Sequence, residues 1–383
     1  MNLRFRWQKY YADLGIIVCN TLILFGFINL GLWLVDIRRP QMATENQATQ
    51  IVMRWLEEHR DQVPEVYPNY SDLELRQLIN ETWSRPYECE VFTHMREQPY
   101  AGKYVRVDPA GFRLGREHEQ WPPSRQQQVV FVFGGSTTFG YGVADNETIP
   151  SFIQQWLQDK GKQVVVYNFG RGGYFSSQEL VLFETLIREG VIPDGVVFID
   201  GLNEFFHWNG KPGGVNLCGQ PIEKKSWELP VMGLVRRVDG WLGKKLGMQQ
   251  EENLVVIPEA KDKQVIDDVI KRWLHNKHMI EGVAEKYGIK VLFVWQPVPT
   301  YKYDLNYHLL FDSVDDFGPN LRSKYGYEAM EEIMKTRKEF ANVMDLSGMG
   351  ADRKEWLYVD TVHYSAQFSQ EIADMIGKQI WLW

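Results

Sequence analysis

From Gln128 onward the chain alternates short apolar runs with amphipathic stretches of helical period. This rhythm restricts the possible folds more than any other feature. Val129–Phe133 (VVFVF), Val164–Tyr167, Val196–Ile199 and Val291–Trp295 are unbroken hydrophobic runs, and Val343–Leu346 is a shorter relative. Strands covered on both faces read this way, because neither face needs polar residues. Between the runs, Phe152, Ile153, Trp156 and Leu157 share one helical face after Pro150. Ser177–Glu189 predicts a second helix that stops at Gly190, and Val265 to Ala284 a long third one. Tyr327–Phe340 and Ser365–Ile380 complete the series. Alternation of this kind predicts a parallel sheet with helices on both faces. An irregular stretch at about 205–262, carrying Trp208 and Cys218, interrupts it as an insertion.

A second constraint lies near the amino end. Leu14 to Val35 contains no charged residue and spans 22 positions. As a helix it is ~33 Å long, enough for a hydrocarbon core of ~30 Å. Asp36, Ile37, Arg38, Arg39 and Pro40 follow directly, where a cleaved signal peptide has small residues. The reading is an uncleaved signal anchor. Basic residues at 4, 6 and 9 favour a cytoplasmic N-terminus, although Arg38 and Arg39 oppose it. The sequence thus divides into a stub and transmembrane anchor over 1–39, a juxtamembrane region over 40–125 and an α/β domain over 126–383. The partner expected of the anchor is the lipid bilayer. The bulk of the chain is then extracytoplasmic: periplasmic, extracellular or luminal.

Composition removes several function classes. The net charge is −8, and residues 1–39 are themselves positive, so the rest is acidic. Phosphate neutralisation needs the opposite sign, so no nucleic-acid partner is expected. Three cysteines without a C-x-x-C pair or a Cys/His cluster predict no metal site. Cys89 and Cys218 are a possible disulfide in an oxidising compartment, with two free thiols as the alternative.

In sheets of this type, ligands sit beyond the carboxyl ends of the strands. Gly134, Gly135 and Ser136 follow the first strand, and Asn168 to Gly173 end the second. Gly201, Leu202, Asn203 and Glu204 follow the third, while Asp360 and His363 lie after the fifth. One rim would therefore hold a hydroxyl, glycine amides, a carboxamide and an Asp/His pair, which is an inventory for acyl transfer. Ser136 is the candidate nucleophile, His363 the base and Asp360 the group that orients the imidazole. The amides of Ser136 and Gly173 and the carboxamide of Asn203 are candidate oxyanion donors, with Gly172 as an alternative to Gly173. The Gly-Gly-Ser-Thr-Thr block also suits a helix N-cap. A phosphate-binding G-x-G-x-x-G or G-x-x-x-x-G-K-[ST] motif is absent. Arg171 and Trp208 are candidate substrate contacts.

These four blocks, in this order, resemble those of the SGNH hydrolase superfamily, the GDSL-like esterases and lipases. Gly135 stands where that family usually has aspartate. The resemblance spans about residues 129–383. It implies a flavodoxin-like three-layer α/β/α fold with a five-stranded parallel sheet, Ser136 as nucleophile and Gly173 as the oxyanion glycine. It also implies a hydrolase needing no metal or organic cofactor. The expected function is a membrane-anchored serine esterase acting on ester-linked acyl groups, such as O-acetyl, of glycan or lipid. An O-acyltransferase on envelope polysaccharide and a non-catalytic membrane-tethered scaffold are the alternatives. Protein partners are not specified.

Overall fold

The computed structural model describes residues 3–38, 47–116, 120–124, 126–211 and 258–383. The chain divides into two compact units. In the first, the described part is one helix, α1 (Leu3–Arg38). Its segment Tyr10–Leu30, 21 residues of mean hydropathy 1.9, is long and apolar enough to cross a membrane. Two polar side chains within it bond to the helix's own carbonyls: Thr21 Oγ1 donates to Ile17 O at 2.8 Å and Asn29 Nδ2 to Phe25 O at 2.8 Å. In lipid, a polar group without such a partner costs several kcal/mol, of the order of ~2–7.

The second unit holds the other described residues. It opens with α2 (Gln47–Glu58), α3 (Val63–Val66) and α4 (Asp72–Trp83). Ser71 caps α4 in a reciprocal capping box with Glu74, which satisfies two otherwise orphaned amides. Two antiparallel pairs follow, β1 (Tyr87–Glu90) with β2 (His94–Glu97) and β3 (Tyr100–Ala101) with β4 (Arg106–Val107).

The main sheet has five parallel strands: β5 (Gln128–Gly134), β6 (Val164–Gly170), β7 (Gly195–Asp200), β8 (Lys290–Trp295) and β9 (Val343–Asp345). Their spatial order is β6-β5-β7-β8-β9. The connecting helices are α5 (Ser136–Phe139), α6 (Ile149–Asp159), α7 (Ser176–Arg188), α8 (Leu202–Phe206), α9 (Lys263–Tyr287) and α10 (Arg322–Thr336), and α11 (Ala366–Ile380) closes the chain. The expected helix over 327–340 starts earlier and ends at Thr336, where Arg337 turns extended.

Period-two alternation sends each strand's residues to two different cores. Phe131, Phe133, Tyr167, Phe169, Phe198, Phe293 and Trp295 form an aromatic layer with residues of α7, α9 and α10. Val130, Val132, Val164, Val166, Val197, Ile199, Leu292 and Val294 form an aliphatic layer under α6 and α11. The fold is therefore the three-layer α/β/α sandwich with the five-stranded parallel sheet that the alternation predicts. Arg113 bridges Val107 on one side and Asn168 on the other, extending the β6 edge. Residues 47–116 thus pack in one unit with the α/β sandwich.

Candidate active site

Strand β5 ends at Gly134, and Ser136 is the first residue of the one-turn helix α5. The first amides of a helix have no carbonyl before them to bond, so the Ser136 N–H has no partner within α5. Asn168 of β6 fixes this turn from the side. Its Nδ2 donates to Thr138 O and Phe139 O, while its Oδ1 accepts from Gly170 N at 2.9 Å. A Cβ on Gly170 would lie 2.3 Å from the Phe139 nitrogen, so only glycine lets α5 rest there. Arg113, fully buried, holds the far end of α5 by donating to Phe139 O, Gly140 O and Val143 O and pairing with Asp145.

The hydroxyl, imidazole and carboxylate lie in a line. His363 Nε2 is 2.8 Å from Ser136 Oγ. His363 Nδ1 is 2.8 Å from Asp360 Oδ1 and 2.7 Å from Oδ2. Asp360 Oδ1 also accepts from the amides of Val362 at 3.0 Å and His363 at 2.9 Å. Burial pushes the Asp360 carboxyl up, but the His363 charge and hydrogen bond and the two amides outweigh it, and its pKa is held below the ordinary value. A carboxylate at Asp360 keeps the Nδ1 proton, which leaves Nε2 to accept from the serine.

Aromatic rings enclose the imidazole. Tyr141 stacks on it at 5.2 Å and Trp83 meets it edge-on at 5.5 Å. Tyr141 lies in the block after Ser136, where its role is readable at most as a conspicuous aromatic. Trp83 comes from α4, and nothing in the sequence links it to His363.

The oxyanion candidates come from two loops. Asn203, in the first turn of α8, donates one Nδ2 hydrogen to Tyr174 O at 2.7 Å, and its second hydrogen remains. Gly172 donates its amide to Glu97 Oε1 at 3.0 Å, which commits the alternative glycine. Gly173 adopts φ +71, a left-handed conformation that suits glycine. Gly135 has no room for a side chain, since a Cβ would lie 2.3 Å from Asn203 Nδ2. Gly135→Ala is therefore expected to push the carboxamide aside and lower kcat for ester turnover about 100-fold, the scale of one lost oxyanion donor. Steady-state kinetics with a thermal melt alongside test this; a well-folded variant of wild-type kcat refutes it.

Two candidate contacts have other partners. Arg171 is corrected from an anion holder to a bracing residue: it is buried, and its Nη1 donates to Glu90 Oε2 at 2.5 Å and Tyr174 Oη at 2.8 Å. Trp208 packs, partly buried, against the aromatic layer with the Arg322 guanidinium 5.6 Å from its ring. Cys19 is free, Cys89 is in β1, and Cys218 lies outside the described residues, as does most of the expected insertion. Among the described residues no group of three or more His, Cys, Asp and Glu is placed to hold a metal ion.

Beneath Asn203 lie three buried carboxyls, Glu179, Asp200 and Glu204. Glu204 Oε1 accepts from Ser176 N at 2.6 Å, tying α8 to the start of α7. Burial, then the neighbouring Glu204 charge, pushes Asp200 up to about 7, and burial with the Asp200 and Glu204 charges raises Glu179 as well. The folded chain thus holds protons that the unfolded chain releases above about pH 4, so stability is lost as pH rises toward 7. The thermal midpoint is expected to fall between about pH 5 and about pH 8, and Asp200→Asn to flatten that fall. A variant with an unchanged slope would exclude this origin.

No protein-family model matches the chain, and no curated protein matches it. Among solved structures, it is similar to a lipase/acylhydrolase from Enterococcus faecalis, at 16% identity and TM-score 0.38, over 66% of this chain and 95% of that one. It is also similar to the psychrotrophic esterase EstA from Pseudoalteromonas sp., at 12% identity and TM-score 0.35, over 67% and 98% of the two chains. A member of the lipolytic protein G-D-S-L family from Veillonella parvula matches at 12% identity and TM-score 0.35, over 66% and 97%. These neighbours are lipolytic and ester-cleaving hydrolases.

Proposed function

We propose that the protein is a membrane-anchored serine acyl hydrolase of SGNH type. The observation that carries this reading is the contiguous Ser136–His363–Asp360 line, beside the Ser136 and Gly173 amides, which take no backbone carbonyl among the described residues. Ser136 Oγ attacks the acyl carbonyl carbon as its proton moves to His363 Nε2. The Ser136 and Gly173 amides and the Asn203 carboxamide hold the oxyanion. Collapse breaks the ester C–O bond, and the departing alcohol takes the proton from His363. Water then attacks the acyl-enzyme through the same base, releasing the acid and restoring Ser136.

The substrate class proposed is an ester-linked acyl group, such as O-acetyl, on an envelope glycan or lipid. The anchor supports a surface-bound substrate of this kind. With a sugar hydroxyl replacing water, the same steps make an O-acyltransferase. α1 is the proposed signal anchor, with the N-terminus cytoplasmic, the second unit outside and Cys89 paired with Cys218. Full-length protein is expected to turn over p-nitrophenyl acetate, with the activity lost in His363→Ala. Protease added outside sealed right-side-out cells is expected to cut the second unit. Inactivity of the wild type on a panel of acyl esters would defeat the catalytic reading, and complete protection the topology.

A further inference from the structure

We infer that His207 and Glu97 are a pair of positioning residues that clamp Gly173 from its two sides. The inference rests on the proposed acyl-transfer reading and adds a device to it. Glu97, 3% exposed, comes from the hairpin strand β2, and its Oε1 accepts the Gly172 N–H at 3.0 Å. His207, 4% exposed, has Nε2 at 2.8 Å from the Gly173 carbonyl. A carbonyl only accepts, so this nitrogen carries the ring proton. The polar groups flanking the Gly172–Gly173 peptide are thus both held, while its Gly173 N–H is left for the site. Glycine explores φ on both sides of zero almost equally, so a positive φ here needs an external restraint.

His207 is itself fixed. Its ring stacks on Phe175 at 5.0 Å, and its amide bonds to Asn203 O at 2.9 Å. The short helix α8 therefore sets two oxyanion donors at once, Asn203 through its own carboxamide and Gly173 through His207. Burial lowers the imidazole pKa to about 4, against the Gly173 and Lys211 backbone contacts that raise it, so the ring is neutral at physiological pH. The hairpin gives the opposite jaw further support: Met95 O accepts from Tyr174 Oη at 2.8 Å and Thr93 O from Gln178 Nε2 at 2.6 Å.

The test uses the full-length protein with p-nitrophenyl acetate. His207→Ala is expected to lower kcat about 30- to 100-fold with KM little changed, because a donor misplaced by about 1 Å costs on that scale. His207→Gln, which returns an N–H donor at similar reach, is expected to recover most of the loss. Glu97→Gln is expected to be mildly impaired, and Glu97→Ala to resemble His207→Ala. Equal impairment by Ala and Gln at position 207, or kcat within twofold of wild type in both Ala variants, overturns the clamp. Crystal structures of the folded variants give a readout without turnover: Gly173 is expected to leave its positive φ in His207→Ala and keep it in His207→Gln. A wild type lacking Ser136-dependent turnover defeats the hydrolase reading, while Gly173 staying in place in His207→Ala defeats the clamp.

Discussion

Ser136→Ala is expected to reduce ester turnover about 10⁴- to 10⁶-fold. A fluorophosphonate probe is expected to label the wild type and leave the variant unlabelled. The size of the effect follows from the surroundings of the hydroxyl. His363 Nε2 has Ser136 Oγ as its hydroxyl partner among the described residues. The two neighbouring hydroxyls are not substitutes. Thr137 Oγ1 is buried and donates to Gln296 Oε1 at 2.8 Å, and Thr138 is fully enclosed. Among the described residues neither neighbouring hydroxyl is free to replace the serine. The fold should be indifferent to the change, because the loop is held by Asn168 and Arg113 rather than by the Ser136 side chain. Equal labelling of variant and wild type would end the case for covalent catalysis at this position.

Asp360→Asn is expected to be almost as damaging, about 10⁴-fold in kcat, through the proton's location rather than through geometry. Oδ1 accepts two backbone amides, so the asparagine oxygen stays there. Its NH₂ then takes the place of Oδ2, which faces His363 Nδ1 at 2.7 Å. A donor in that position competes with the Oδ1 acceptor at 2.8 Å for Nδ1 and favours the tautomer whose ring proton sits on Nε2. The imidazole then donates toward Ser136 and has no lone pair for the serine proton. The thermal midpoint should change little in the Asn variant and drop in Asp360→Ala, which leaves both amides without an acceptor. Kinetics and melts on both variants decide this. An Asn variant within tenfold of wild type would show that Asp360 is only a structural acceptor.

The readable and unreadable parts of this chain divide on physical grounds. Val129–Phe133 and Val196–Ile199 lie within β5 and β7 because strands buried on both faces must be apolar at every position. The glycine-containing turns after the strands were legible as turns, whereas the need for glycine at Gly170 and Gly135, where a Cβ would strike backbone or Asn203, came from the fold. The hairpin β1–β2 was not. Its strands read YECE and HMRE, partly exposed and polar, so neither period nor hydrophobicity marks them. Their value lies in Glu90 and Glu97, which meet Arg171 and Gly172 from far away in sequence. Arg171 shows the same limit in reverse: a loop arginine beside a predicted site suggests an anion, and only the fold reveals that the buried guanidinium pairs with the half-buried Glu90.

The sequence by itself determined the sheet, its two faces, the apolar amino-terminal helix and the residues that could meet at the strand ends. Those properties follow from local pattern, because burial on a given face imposes a period and a turn imposes its glycines. Tertiary structure alone decided how the residues are braced: Trp83 and Tyr141 around the imidazole, Glu97 and His207 on either side of Gly173, and Arg113 behind the serine turn. Each of these pairings joins segments whose own local patterns are silent about one another, and a hydrogen bond of this kind leaves no period in the chain.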